Sequence, residues 1–278
     1  MSVRSAVRAC VPPALLQAYR HWSGTDLRFA GRPASWDDAL KASQGYDSAS
    51  ILDRVVDATR AVVSGRARHE RDSVLFDDLE PPFAVLSTLW RAMALEHSRT
   101  LDVVDVGGAL GSTYRECRPL LSATMELRWH IVEQPHFVAA GAEFASRELR
   151  FFESPSSVPP PVGAQVLVLS SVLQYLQHPL DVLDGLAALP ARHLVVDRTP
   201  MSDASHDRLC IQRVPSHIYA ASYPCRLLSR QRLLGHLRRQ WRLVADFPCA
   251  EGKRVTNDGE NFEYRGMVLE RTLSTDRP

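Results

Sequence analysis

The stretch VVDVGGALGST, residues 103–113, restricts this chain more than any other. An apolar run reaches Asp105, and Gly107, Gly108 and Gly111 follow before a helical segment, STYRECRPLLSA, begins. Glycines at a strand-to-helix turn let the backbone bend sharply and let a ligand lie against bare main chain. From residue 100 onward the rhythm repeats. The runs LDVVDV, RWHIVE, LRFF, QVLVLS and HLVVDR predict strands, and PHFVAAGAEFAS and PLDVLDGLAAL predict helices among them. Short apolar strands alternating with helices imply parallel crossover units and a sheet buried on both faces. SRQRLLGHLRRQ then predicts a helix. WRLVADF and YRGMVLERTL predict two last strands, joined by the polar PCAEGKRVTNDGEN.

The first hundred residues read differently. DSASILDRVVDATRAVVSG and PPFAVLSTLWRAMALEH carry apolar residues at helical spacing, whereas HERDSVLFDD is too charged for a core element and reads as a loop. No strand alternates convincingly before residue 100. The expected organisation is therefore an N-terminal helical extension over residues 1–98, capping the acceptor side, and one large α/β domain over 99–278. Within it, residues 199–228 read as a long irregular segment, and structureless stretches of that length are often functional, so they are assigned as a lid.

Composition narrows the partners. The 278 residues are 45% hydrophobic and 23% charged with a formal net charge of +1, which gives no reason to expect nucleic acid or an anionic membrane as partner. The arginines around SRQRLLGHLRRQ read as a solvated helix face. Five scattered cysteines, with no CxxC pair, argue against a disulfide framework or a zinc ribbon and suit a reducing cytoplasm. The N-terminus lacks the apolar core of a signal peptide, and no run is long enough for a membrane helix. No HxH or HExxH spacing marks a metal site.

Two ligands fit a glycine turn followed, about 25 residues on, by an acid at the end of the second strand, where it can accept both hydroxyls of a ribose. That acid is Glu133. A dinucleotide carries adenosine and a pyrophosphate, and Asp105 so close to two phosphates would be repulsive. S-adenosylmethionine carries the same adenosine with an amino group and a sulfonium, both of which welcome a carboxylate. Asp105 tilts the choice to the sulfonium.

VVDVGGALGS resembles the cofactor motif of class I S-adenosylmethionine-dependent methyltransferases, and the likeness extends over residues 101–272. VEQPHFVAAG resembles the second-strand motif of small-molecule O-methyltransferases. The pieces GYDSASIL, ERDSVLF, VEQPHFV, LSSVLQYLQHP, VVDRTP and IYAASYPC resemble a family of bacterial methyltransferases of undefined substrate. The resemblance implies a Rossmann-like seven-stranded sheet and S-adenosyl-L-methionine as cofactor, and says little of the acceptor.

The expected cofactor residues are Asp105, Gly107, Gly108, Gly111, Glu133, Gln134, Phe152, Ser170 and Ser171. Phe151 and Phe152 can be core or can flank adenine, with at least one in the core. The resembling O-methyltransferases carry a catalytic histidine where this chain has Gln174, and an amide cannot take a proton at neutral pH. A base is needed only if the acceptor is poorly ionised, and it would then come from elsewhere. Asp197 ends the fifth strand, and His217 and Tyr223 lie in the segment after it. With Gln174 these are the candidate catalytic residues, His217 the candidate base. The expected activity is methyl transfer to a small-molecule acceptor, at oxygen. Other chemistry on the same cofactor, such as cyclisation or decarboxylation, stays open, as does a non-catalytic partner subunit. The N-terminal helices can pack across a homodimer or fold back on their own domain.

Overall fold

In a computed structural model, the structure describes residues 28–43, 48–71, 73–78, 81–215 and 221–272. In chain order, β1 (Arg28–Ala30), α1 (Trp36–Ala42) and α2 (Ser48–Val63) precede a hairpin of β2 (His69–Arg71) and β3 (Val74–Phe76). Then come α3 (Phe83–Glu96), β4 (Thr100–Val106), α4 (Ser112–Cys117), β5 (Glu126–Val132), α5 (Pro135–Gly141), β6 (Leu149–Phe152) and β7 (Ala164–Ser170). The chain continues through α6 (Pro179–Ala187), β8 (His193–Ser202), β9 (Arg208–Arg213), β10 (Ser222–Ser229), α7 (Arg230–Leu237), β11 (Trp241–Val255) and β12 (Asn261–Arg271).

The chain divides into two compact units. The smaller takes its described residues from 1–46, 209–225 and 255–260, and the larger holds the remainder. In the smaller unit β1 pairs antiparallel with β9, Phe29 opposite Gln212. Arg32 is ion-paired with Asp258 at 2.8 Å, and Asn257 N–H donates to Phe29 O at 2.9 Å. Ser35 caps α1, its Oγ accepting from Asp38 N–H.

The larger unit is built on the parallel ladder β6-β5-β4-β7-β8. The last four residues of β10 extend the edge at the end of β8, where Leu228 and Ser229 pair with Met201 and Ser202. On the other side of β8 lies β12, antiparallel, and β12 in turn pairs with β11. Alternation along the strands divides the core. Val104, Val106, Leu167, Leu169 and Val196 face Leu183, Leu186, Leu233 and Leu237 of α6 and α7. Leu101, Val103, Trp129, Ile131, Val166 and Val195 face Val85, Leu86, Leu89 and Cys117 of α3 and α4. Both faces are covered, which is why these strands read as unbroken apolar runs.

Three expectations are corrected. The charged HERDSVLFDD is not a loop: residues 69–71 and 74–76 pair as a hairpin, with Ser73 in the turn at φ +62°. It and β1 are strands before residue 100. Residues 199–228 are not irregular, because β8 runs on to Ser202 and β9 and β10 occupy much of the rest. The polar connection after WRLVADF is largely strand, since β11 continues through Val255 and only residues 256–260 make the turn. Arg230, Arg232 and Arg242 around α7 each meet an acid: Asp246, Asp207 and Glu270. No described helix is long and apolar enough to cross a membrane.

Candidate active site

Strands β5 and β6 lie to one side of β4, and β7 and β8 to the other. Ligands of open parallel sheets bind outside the carboxyl ends of the strands at such a reversal. The glycine turn stands there. Gly107 and Gly111 hold φ of +72° and +97°, a region costly for any residue with a Cβ. A Cβ on Gly107 would also lie 2.5 Å from Val172 Cγ2, so the turn after β4 packs directly on the turn after β7. Gly108 sits on the carboxylate of Asp105, where a Cβ would approach Oδ2 to 2.6 Å.

Asp105 is only 1% exposed and accepts a hydrogen bond from Trp129 Nε1 at 3.0 Å. Burial pushes its carboxyl up to about 7, the Trp129 bond acting against and the charge of Glu133 adding to the rise. A cation held over Gly108 would favour the ionised carboxylate, and a phosphate would oppose it. Glu133 accepts from Ala109 N–H at 3.2 Å through Oε1 and from Gln134 N–H at 2.9 Å through Oε2. A carboxylate offers about four lone-pair positions, so two hydroxyl donors can still be met. Burial raises the Glu133 carboxyl, and those two N–H groups and His136 act against it. Gln134 is exposed at the start of α5. Phe152 is half-buried and edge-on to His130 at 5.4 Å. Phe151 is also half-buried but packs against the core on the opposite face: a Cβ on Gly141 would meet its ring at 2.6 Å.

Across the switch point, Ser170 stands opposite Asp197 in the β7–β8 register. Ser171 has φ +58° and donates its N–H to Asp197 O at 3.0 Å. Gln174 is fully buried. Its Nε2 donates to Ser171 Oγ at 3.0 Å, while Oε1 has no partner. Asp197 is 6% exposed and its carboxyl is raised by burial, with the Cys249 thiol donating to Oδ1 at 3.4 Å. Arg198 adopts φ +51° with Nε on Glu251 at 2.6 Å. Ala109, Ser171 and Arg198 thus place left-handed non-glycine residues just past β4, just past β7 and within β8. Such strain costs of order 1–3 kcal/mol each and clusters at functional sites.

The structure brings Asp105, the three glycines, Glu133, Gln134, Ser170, Ser171 and Gln174 to the ends of β4, β5 and β7. Asp197 does not end its strand as expected: β8 runs five residues further, to Ser202, and Asp197 lies level with the end of β7. Tyr223 belongs to the smaller unit, where Gln212 Nε2 donates to its hydroxyl at 3.4 Å. His217 lies outside the described residues. Sequence reasoning missed the hairpin side of the site. Glu70 is 4% exposed, accepts from Ser73 N–H at 3.2 Å and takes the Ser112 hydroxyl at the start of α4. Behind it, burial pushes Glu116 up to about 7 against Arg71 and Arg198. The available signal was ERDSVLF among the family-like pieces, with nothing in its residue pattern to say what it touches. Cys249 and Glu251 were missed because they were read into a loop.

Counted within the larger unit from β4, the seven core strands stand in the order third, second, first, fourth, fifth, seventh, sixth, with the seventh antiparallel to the fifth. The fold is that of the class I methyltransferases. No family model matches the sequence, and no curated protein does. Among solved structures, the N-terminal domain of EvdMO1, crystallised in the presence of SAH and D-fucose, is similar at 13% identity and a TM-score of 0.48. That match covers 83% of this chain and 100% of that one. CalS10, an amino pentose methyltransferase from Micromonospora echinaspora, is similar at 12% identity and 0.45, covering 76% and 95%. Magnesium protoporphyrin IX methyltransferase from Synechocystis PCC 6803 is similar at 13% identity and 0.42, covering 79% and 97%. These are distant likenesses.

Proposed function

We propose that this protein is an S-adenosylmethionine-dependent methyltransferase acting on a small-molecule acceptor at oxygen. The observation that carries the reading is the Asp105–Gly108 stack: a buried carboxylate, raised to about 7, lying directly beneath the glycine backbone at the switch point. The donor set fits the cofactor. Gly107, Gly108 and Gly111 would let it approach bare main chain, Asp105 would answer its positive charge, and Glu133 has capacity for its ribose hydroxyls. When bound, the cofactor supplies an electrophilic methyl group on a sulfonium. The chain's own part is to align and to hold a proton. Alignment supplies much of the rate of an in-line displacement, and the contact between Gly107 and Val172 ties the cofactor turn to the turn carrying Ser171 and Gln174. An amide such as Gln174 can orient an acceptor but cannot take its proton. The Asp197 carboxyl, raised by burial, is the described group best suited to receive a hydroxyl proton.

Calorimetric titration with S-adenosylmethionine, its demethylated product and NAD tests the cofactor, with Asp105→Asn alongside. Binding of the first two but not NAD, weakened in the variant, is expected. A folded, ligand-free protein that binds none of them would overturn the reading. Labelled-methyl transfer to candidate acceptors then separates methyl transfer from cyclisation or decarboxylation, which the uncharged Gln174 would also accommodate.

A further inference from the structure

Away from the glycine turn, the α6 and α7 face of the sheet carries a row of polar residues. Asp102 on β4 stands in register with Arg128 on β5 and Gln165 on β7, and His130, two residues beyond Arg128, stands opposite Val104. Alternation puts all four side chains on the face that also holds Val104 and Leu167. Asp102, His130 and Gln165 are 0%, 3% and 4% exposed. No α-helix joins β6 to β7 above them. The connection is the segment of residues 153–163, with one short turn at Pro155–Ser157.

Part of this row is satisfied. Asp102 Oδ2 accepts from Val162 N–H at 2.9 Å and from Gly163 N–H at 3.0 Å. Its Oδ1 is ion-paired with the Arg128 guanidinium, which also donates to Pro160 O at 3.2 Å. The rest is not. Arg128 Nε, both ring nitrogens of His130 and Gln165 Oε1 are buried without a hydrogen-bond partner. His130 Nε2 is 3.9 Å from Asp102 Oδ1, beyond hydrogen-bond reach. Unpaired buried polar atoms are few in folded proteins, and several in one patch call for a common cause.

We infer that this row is an internal hydration site: ordered water under the 153–163 segment pairs Gln165 Oε1, Arg128 Nε and the His130 ring. The chemistry selects water over other occupants. Asp102 and Arg128 cancel in charge, so the patch attracts neither ion strongly. Among the described residues no three His, Cys, Asp or Glu side chains converge as a cation site. An anion seeking Arg128 would face the Asp102 carboxylate. Water both donates and accepts, so it can meet an N–H donor and a carbonyl acceptor together, and internal waters typically make about three such bonds. The hydrated row then fastens a helix-free connection to the strand that leads into the glycine turn.

The test is a room-temperature crystal structure of the full chain at a resolution that orders internal water, with the thermal stability of Gln165→Met. Expected is density within hydrogen-bond distance of Gln165 Oε1 and of Arg128 Nε or a His130 nitrogen. The variant, which removes one side of the water's cage, should melt about 2–4 °C lower. A dry patch, or side chains that pair with one another directly, overturns the inference. So does a rise in melting temperature, because removing a dry, unpaired carbonyl would relieve a cost rather than create one.

Discussion

Gly107 is held by two independent constraints, its left-handed backbone and the methyl groups of Val172. Gly107→Ala should lose about 2 kcal/mol or more of stability in denaturant titration. Adding Val172→Ala should return part of the steric cost, since the retained Cβ would still lie 2.9 Å away, and leave the backbone part. Asp105 gives a prediction with a sign. Its carboxyl is raised from 3.8 to about 7, so between those values the folded chain keeps a proton that the unfolded chain has released. Its contribution to stability therefore falls as pH rises through that window, by up to about 4 kcal/mol. Asp105→Asn, which can still accept from Trp129, should make the dependence shallower when melting is followed from pH 4 to 8, the raised Glu116 keeping its share. Affinity for a cationic ligand should move the other way in the native protein, tightening as pH passes 7 and Asp105 ionises. In Asp105→Asn that trend should vanish.

Elements differ in how plainly the sequence announces them. The strands from β4 to β8 and their helices were readable because each is buried by its own pattern, apolar on both faces for the strands and on one stripe for the helices. The helix α7 was readable as well, and its cap explains its start: Ser229 is fully buried and its Oγ accepts from Arg232 N–H. Ser229→Ala should cost about 1 kcal/mol in denaturant titration, with the sheet register intact. The hairpin of β2 and β3 was not readable. Its strands are three residues long, one of them polar throughout, and its inward carboxylate meets Ser112, more than forty positions away. The outer half of β11 escaped for a related reason. Cys249 and Glu251 gain their meaning from Asp197 and Arg198 on another strand, a pairing that no local periodicity records. Of the candidate site, the glycine turn at the switch point was therefore evident from its glycines and acids, while the walls beside it depend on contacts distant in sequence.

For the molecule as a whole, a ligand that binds only the folded state raises its stability by mass action. At a hundred times its dissociation constant, S-adenosylmethionine should contribute about 2.7 kcal/mol, or about 5–10 °C in melting temperature. NAD at the same concentration should leave the transition unmoved. The order of the strands has a different consequence. The edge of β8 opposite β7 is occupied by β12, and β12 ends at Arg271. During synthesis β8 therefore emerges more than fifty residues ahead of the strand that covers it, and its bare N–H and C=O groups are open to any other strand. The nascent chain has to keep its longest core edge out of wrong partnerships until β12 has left the ribosome. Premature termination before residue 261 would strip β8 of β12 and expose an edge prone to aggregation.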